Sequence, residues 1–247
     1  MFGVGIFRNK SSRPASRLAF ERTYNQLINI RNFGMNTIEI AGRYSALAND
    51  TCCLSCGGAA QKSEAKIGEV CIDLGSGRGT DVLRLAVEVS ETGFVYGVDV
   101  TEEMIRKATT TANKMSIENV KFVLADLEQI PLEDETANLI ISNCTLNHVS
   151  NKAKVWAEIY RLLKNGGRFV ISDIYSSEPV PEEYANDPEA VAECWAGSVP
   201  KAEYIEIIKK AGFKDFMILE ESQPYPKGKI EVSSFTITAR KDEFSCC

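Results

Sequence analysis

From Val70 onward, short apolar runs alternate with segments of helical period, the pattern of a parallel sheet with crossover helices. Residues 69–75 (EVCIDLG) form a buried run that ends in a glycine turn and predict the first strand. Helix-period positions follow from Asp81 to Val89, then a second strand over residues 94–100. Thr101, with Glu102 and Glu103 behind it, is an N-cap signal for a helix reaching about Lys114. Val120 to Leu127 predicts a third strand, residues 137–144 (ANLIISNC) a fourth, and Lys152 to Leu163 a helix. Asn165, Gly166 and Gly167 close that helix and turn the chain into a fifth strand, Arg168 to Ile174.

The last third changes character. Residues 176–200 carry prolines at 179, 181, 188 and 200, six carboxylates and no Lys or Arg, which marks an insert rather than another sheet layer. A helix from about Lys201 to Ala211 is closed by Gly212. Strands at Phe216 to Glu221 and Ser233 to Ala239 flank residues 224–228 and are expected to pair antiparallel. Upstream, Ala15 to Ala48 supplies about two helical segments that belong to no strand pair. The expected fold is α/β, a doubly wound seven-stranded Rossmann-like sheet with an antiparallel last strand, an N-terminal helical cap and an insert after strand five. The expected division is 1–66 for the cap and a cysteine-bearing loop, 67–241 for the sheet domain, and 242–247 for a cysteine-bearing tail.

The first strand runs into DLGSGRG at 73–79. A glycine-rich turn there lets backbone approach a ligand closely. The dinucleotide fingerprint needs glycine at position 80, where Thr80 stands, and Asp73 suits an amine-bearing ligand better than a pyrophosphate. Asp99 closes strand two, where a carboxylate can accept both ribose hydroxyls, and Asp126 closes strand three. Three acids at one sheet edge fit the crevice where open α/β sheets bind ligands.

Composition narrows the function. The 247 residues include 28 basic and 34 acidic side chains, a net charge of −6, which argues against general nucleic-acid binding. No run of about 18 apolar residues is present, so no membrane span is expected. Met1 to Phe7 is too short and lacks the charged lead of a secretory signal, so a cytoplasmic protein with reduced thiols is expected. The chain has eight cysteines and a single histidine, which excludes a zinc site with several imidazole ligands in one chain.

Cys71, between Val70 and Ile72, is expected in the core. Cys144 ends strand four and faces the crevice, Cys194 lies in the insert, and Cys52, Cys53 and Cys56 lie between the cap and strand one. Three thiols from separate segments at one cofactor mouth suggest a soft, thiophilic ion. Cys53 and Cys56 form half of a zinc knuckle with no second half at the right spacing. Cys246 and Cys247 close the chain with no role evident from position. His148 reads as a surface or capping residue after a strand.

The ordered series DLGSGRG, GVDVTEEM, ADLEQIPL and RLLKNGGRFVISD resembles the class I S-adenosylmethionine-dependent methyltransferases over about Ile67 to Arg240. The resemblance implies that Asp73 and the amides from Gly75 through Ser76 to Gly77 hold the methionyl end and that Asp99 holds the ribose. It further implies Val100 and Met104 beside the adenine, Asp126 and Leu127 at its edge, and Asn143 in the same cofactor set.

SNC at 142–144, ISDIYSSEPVPEE at 171–183 and ECWAGSVPKAEY at 193–204 further resemble the arsenite methyltransferases. That resemblance implies that Cys56, Cys144 and Cys194 bind trivalent arsenic, as arsenite or its thiol adducts. It also implies an auxiliary redox thiol at Cys52 or Cys53, a thiol reductant such as glutathione or thioredoxin as co-substrate, and detoxification as the outcome. Two positions depart from that family's usual pattern: Val82, where cysteine is frequent, and His148, where an apolar residue is common. Thiolate-held arsenic offers a lone pair and no proton, so a chain poor in histidine suits it. A quinone- or sterol-type C- or O-methyltransferase using His148 as base is one alternative. A thiol-rich metalloid-binding protein without catalysis is the other.

Overall fold

The computed structural model describes residues 41, 42, 44, 45, 57–187, 190, 191 and 193–242. All of them lie within one compact unit, Gly34–Cys247. The expected positions Cys52, Cys53, Cys56, Cys246 and Cys247, and most of the expected helical cap, lie outside the described residues.

Eight strands form one sheet among these residues: β1 Val70–Leu74, β2 Phe94–Asp99, β3 Val120–Leu124, β4 Ala137–Asn143, β5 Leu163–Ser176, β6 Lys214–Glu221, β7 Tyr225–Lys227 and β8 Ile230–Arg240. Their order is β3-β2-β1-β4-β5-β8-β6, with β7 beside β8. The first five strands pair parallel, and β8 runs antiparallel to β5, β6 and β7. The helices are α1 Ala59–Lys62, α2 Thr80–Glu88, α3 Glu102–Lys114, α4 Lys152–Leu162, α5 Glu182–Ala185 and α6 Lys201–Lys210, with a 3₁₀ turn at Leu146–His148.

Period-two alternation in the central strands feeds two cores. Ile72, Leu74, Ile140, Phe169 and Ile171 face one side, where Trp156 and Ile159 of α4 and Tyr204 and Ile208 of α6 cover them. Cys71, Leu139, Ile141 and Val170 face the other, under Val82 and Leu85 of α2 and the alanines of α1. Both faces are covered, which is why β1 and β4 read as nearly continuous apolar runs.

Three expectations need correction. The sheet has eight strands, because Tyr225–Lys227 pairs with β8 where a plain connection was expected. Strand β5 starts at Leu163, which pairs with Ala137, so Asn165 to Gly167 lie inside its span beside a register shift. Strand β3 stops at Leu124, two residues short of Asp126. Insert residues Ser176 and Pro200 form a β-bridge, so the excursion between them leaves and rejoins the sheet at one point.

Candidate active site

The carboxyl ends of β1, β2 and β4 open on a cavity. Its wall includes Gly75, Gly77, Asp99, Val100, Met104, Asp126, Leu127, Asn143, Cys144, His148 and Cys194. Asp73 and Ser76 are buried and are not part of that wall.

Asp99 organises the glycine loop. One carboxylate oxygen accepts the Gly77 amide at 2.8 Å and the other the Thr101 amide at 2.8 Å. Burial pushes the carboxyl above its usual range, against the Thr101 and Gly77 amides, the Thr101 side chain and the Val100 backbone, which all lower it. Thr101 occupies the N-cap position of α3 without a side-chain capping bond. The amides of Gly75 and Ser76 both donate to Val98 O, at 2.8 and 3.0 Å. All three loop amides expected to meet a methionyl group are thus committed within the protein. Gly75, at φ 74°, has no room for a side chain because a β-carbon would lie 2.2 Å from Thr145 Oγ1. At Gly77, φ 51°, a β-carbon would meet nothing within 4 Å, so the backbone there faces open space.

Asp73 is held well above the usual carboxylate range, first by burial and then by the charges of Asp81 and Asp99. The charges of Asp81 and Asp99 beside Asp73 favour a cationic ligand. Asn143 lines the cavity, but both ends of its amide are engaged: Oδ1 accepts from Ala59 N and Nδ2 donates to Asp81. Asp126 reaches the cavity from a turn, where its carboxylate accepts the Glu128 amide. The apolar part of the wall, Val100, Met104, Leu127 and Val149, suits a flat base beside the acid pair.

The two described crevice cysteines touch through the sulfur of one and the main chain of the other. Cys144 follows β4 at φ 51° and Cys194 sits in the insert at φ 69°, both in the left-handed region. Cys194 Sγ lies 3.2 Å from Cys144 O. The insert is fastened there by close approach: Lys152 Nζ donates to Leu146 O and to Gly197 O, at 3.3 and 2.7 Å. Asn147 Nδ2 donates to Ile174 O at 2.7 Å. Cys144 also lines a second cavity with Gly57, Ser172, Asp173, Glu221 and Thr236. Asp173 there is fully buried, accepts Tyr204 Oη–H at 3.1 Å, and is raised to about 6 by that burial. Cys71 is buried in the sheet core, which pushes its thiol up to about 12.

Sequence reasoning read His148 as a surface or capping residue, and the structure buries it. Its Nε2 lies 3.1 Å from Cys194 Sγ and 3.1 Å from Tyr44 Oη. The cue was available, since the one histidine stands four residues after Cys144. Among the described residues no three His, Cys, Asp or Glu side chains are arranged to hold a metal ion, and no helix is long and apolar enough to cross a membrane.

Residues 65–212, more than half of the chain, match the family model of a methyltransferase domain. The chain belongs to the methyltransferase-domain family. Its fold is that of the class I S-adenosylmethionine-dependent methyltransferases. This methyltransferase domain is 38% identical over 161 residues to an arsenite methyltransferase of Halobacterium salinarum, covering 65% of this chain and 41% of that protein. It is 34% identical over 151 residues to the arsenite methyltransferase of Mus musculus, covering 58% and 40%. The chain thus spans less than half the length of these curated relatives. The crystal structure of an arsenic(III) S-adenosylmethionine methyltransferase from Chlamydomonas reinhardtii superposes with a TM-score of 0.69 at 28% identity, covering 81% of this chain and 73% of that one.

Proposed function

We propose that this methyltransferase transfers the methyl group of S-adenosylmethionine to trivalent arsenic held on cysteine thiolates. One observation carries the reading: Cys144 and Cys194, 50 residues apart in sequence, meet in the wall of the cavity that also contains Asp99 and Met104. The likeness to arsenite methyltransferases points to the same substrate. Cys56 is the proposed third thiol; its neighbour Gly57 lines the second cavity together with Cys144. Cys52 or Cys53 would serve as the auxiliary redox thiol.

The donor set fits the cofactor. Asp99 would hold a diol, Asp126 and the apolar wall an adenine, and Asp73 with its neighbouring acids a ligand bearing ammonium and sulfonium charges. Bound there, S-adenosylmethionine supplies an activated methyl group on a sulfonium. The chain's own part is to bind arsenic, aim it and keep water out. Each thiol that binds replaces a hydroxide of arsenous acid, and its proton leaves with that hydroxide as water. Thiolate-held arsenic keeps a lone pair and has no proton to lose, so no general base is needed. A methyl gain leaves arsenic formally pentavalent. A thiol reductant of glutathione or thioredoxin type restores the trivalent state as two thiols become one disulfide. Detoxification of arsenite in the cytoplasm is the proposed outcome.

The test is incubation with arsenite, S-adenosylmethionine and a thiol reductant, followed by arsenic speciation. Methylated arsenic is expected, and its absence with cofactor demonstrably bound overturns the reading. A second reading has one observation behind it, the imidazole of His148 in the cavity wall. It could serve as base for an O- or C-methylation of a quinone- or sterol-type substrate, in which case His148→Ala abolishes activity. On arsenic that variant keeps its turnover.

A further inference from the structure

We propose that His148 is the positioning residue for Cys194: its imidazole holds the thiol on the crevice wall and links it to Tyr44. The inference rests on the reading of Cys194 as a substrate thiol.

Two forces act on that sulfur. Cys194 packs against an apolar cluster that includes Ile174, Trp195 and Val232. A free thiol behaves as a small apolar group and gains by turning inward. Against this stand two polar neighbours, Cys144 O at 3.2 Å and His148 Nε2 at 3.1 Å. One thiol has one proton. The arrangement that satisfies both contacts has S–H donating to Cys144 O and Nε2–H donating to the sulfur, a tautomer assigned from the network. Nε2 carries one proton in the ring plane and shares it between Cys194 Sγ and Tyr44 Oη, which also lies 3.1 Å from it. The tyrosine ring stands edge-on to the imidazole, with centroids 5.7 Å apart. One nitrogen thus joins the insert, the turn after β4 and the segment carrying Tyr44. Nothing in the methyl-transfer chemistry requires this histidine. Its position accounts for it as a tether.

The test uses the full chain and cysteine-resolved alkylation by iodoacetamide, read by peptide mass spectrometry without arsenite. Cys71, buried in the sheet, is the internal fold reporter and stays protected. His148→Ala is expected to change Cys194 alkylation by about fivefold or more, the scale of one lost hydrogen bond, with Cys144 changing less than about twofold. His148→Gln restores at least half of that change, because its amide can donate to sulfur. If His148→Ala exposes Cys71, the decision passes to His148→Leu, which refills the space without a polar atom, read against His148→Gln. An unchanged Cys194 rate in the folded Ala or Leu variant, or no rescue by Gln, overturns the proposal. With arsenite as substrate, a KM raised about tenfold with kcat within about threefold is expected of His148→Ala, the split of a positioning role. If wild type methylates no arsenite, the functional reading fails, while the alkylation rates still decide the role of His148.

Discussion

Gly197 lies against the main chain of Asn147 so closely that a β-carbon on it would stand 1.9 Å from Asn147 O. That contact, with Lys152 bridging the two segments, sets the distance between Cys194 and Cys144. Gly197→Ala must push the insert away. Arsenite methylation is expected to fall at least about tenfold, since misplacement by about an ångström can cost more than that. Cofactor affinity, measured by calorimetry, should stay within about twofold. Unimpaired methylation would show that the close approach does not place the thiol.

Cys144→Ser and Cys194→Ser each replace a soft donor by a hard one of similar size. Arsenite methylation should drop by about a hundredfold or more in each, because oxygen is a poor ligand for a thiophilic ion. Binding of S-adenosylmethionine should survive in both. Speciation and calorimetry on the same preparations separate the two effects.

Asp99→Asn tests the joint between the glycine loop and the end of β2. The carboxylate accepts two amides, whereas a carboxamide can accept on one side only. The orphaned amide and the loss of the proposed ribose acceptor together should weaken cofactor binding by about 10- to 100-fold. Equal affinity in the variant would remove Asp99 from the binding set.

The buried carboxyl of Asp173 gives stability a pH signature. Burial raises it to about 6 from an ordinary value of 3.8. Between those values the native state holds more protons than the unfolded chain, so stability from this group is full at low pH. It is lost as pH climbs through about 6. The stability difference between wild type and Asp173→Asn should therefore shift against wild type from pH 4 to pH 7, on the order of 2 kcal/mol. Denaturant melts at both pH values measure it, and a constant difference would contradict the assignment.

Much of the sheet was legible because central parallel strands must be apolar on both faces, and VCIDL and ANLIISN can be little else. Short-range signals failed where tertiary contacts decide. Asn165 to Gly167 look like a helix stop, yet Leu163 before them and Arg168 after them both pair with β4, so they lie as an irregularity within a strand. Residues 225–227 hold a proline that argues against a strand, and at three residues beside β8 it is tolerated. At the site, Asp99, Asp126 and Cys144 came from their places at strand ends, which the apolar runs before them fix, Cys194 from its place in the insert, and Met104 from the family resemblance. The buried pairing of His148 with Cys194 and the fit of Gly197 against Asn147 were not legible. Each depends on which two distant segments touch, and no periodicity encodes that.

The left-handed backbone at Cys144 and Cys194 sets folding against chemistry. An L-residue there carries a conformational penalty of about 1 kcal/mol or more that glycine escapes. Selection for heat resistance alone would drift toward glycine at 144 and 194 and erase both thiols. If the proposed role of the two thiols holds, variant libraries ranked by melting temperature or expression will on that account enrich sturdy, inert proteins. Any thermostable form of this chain should be sought with those two positions held fixed.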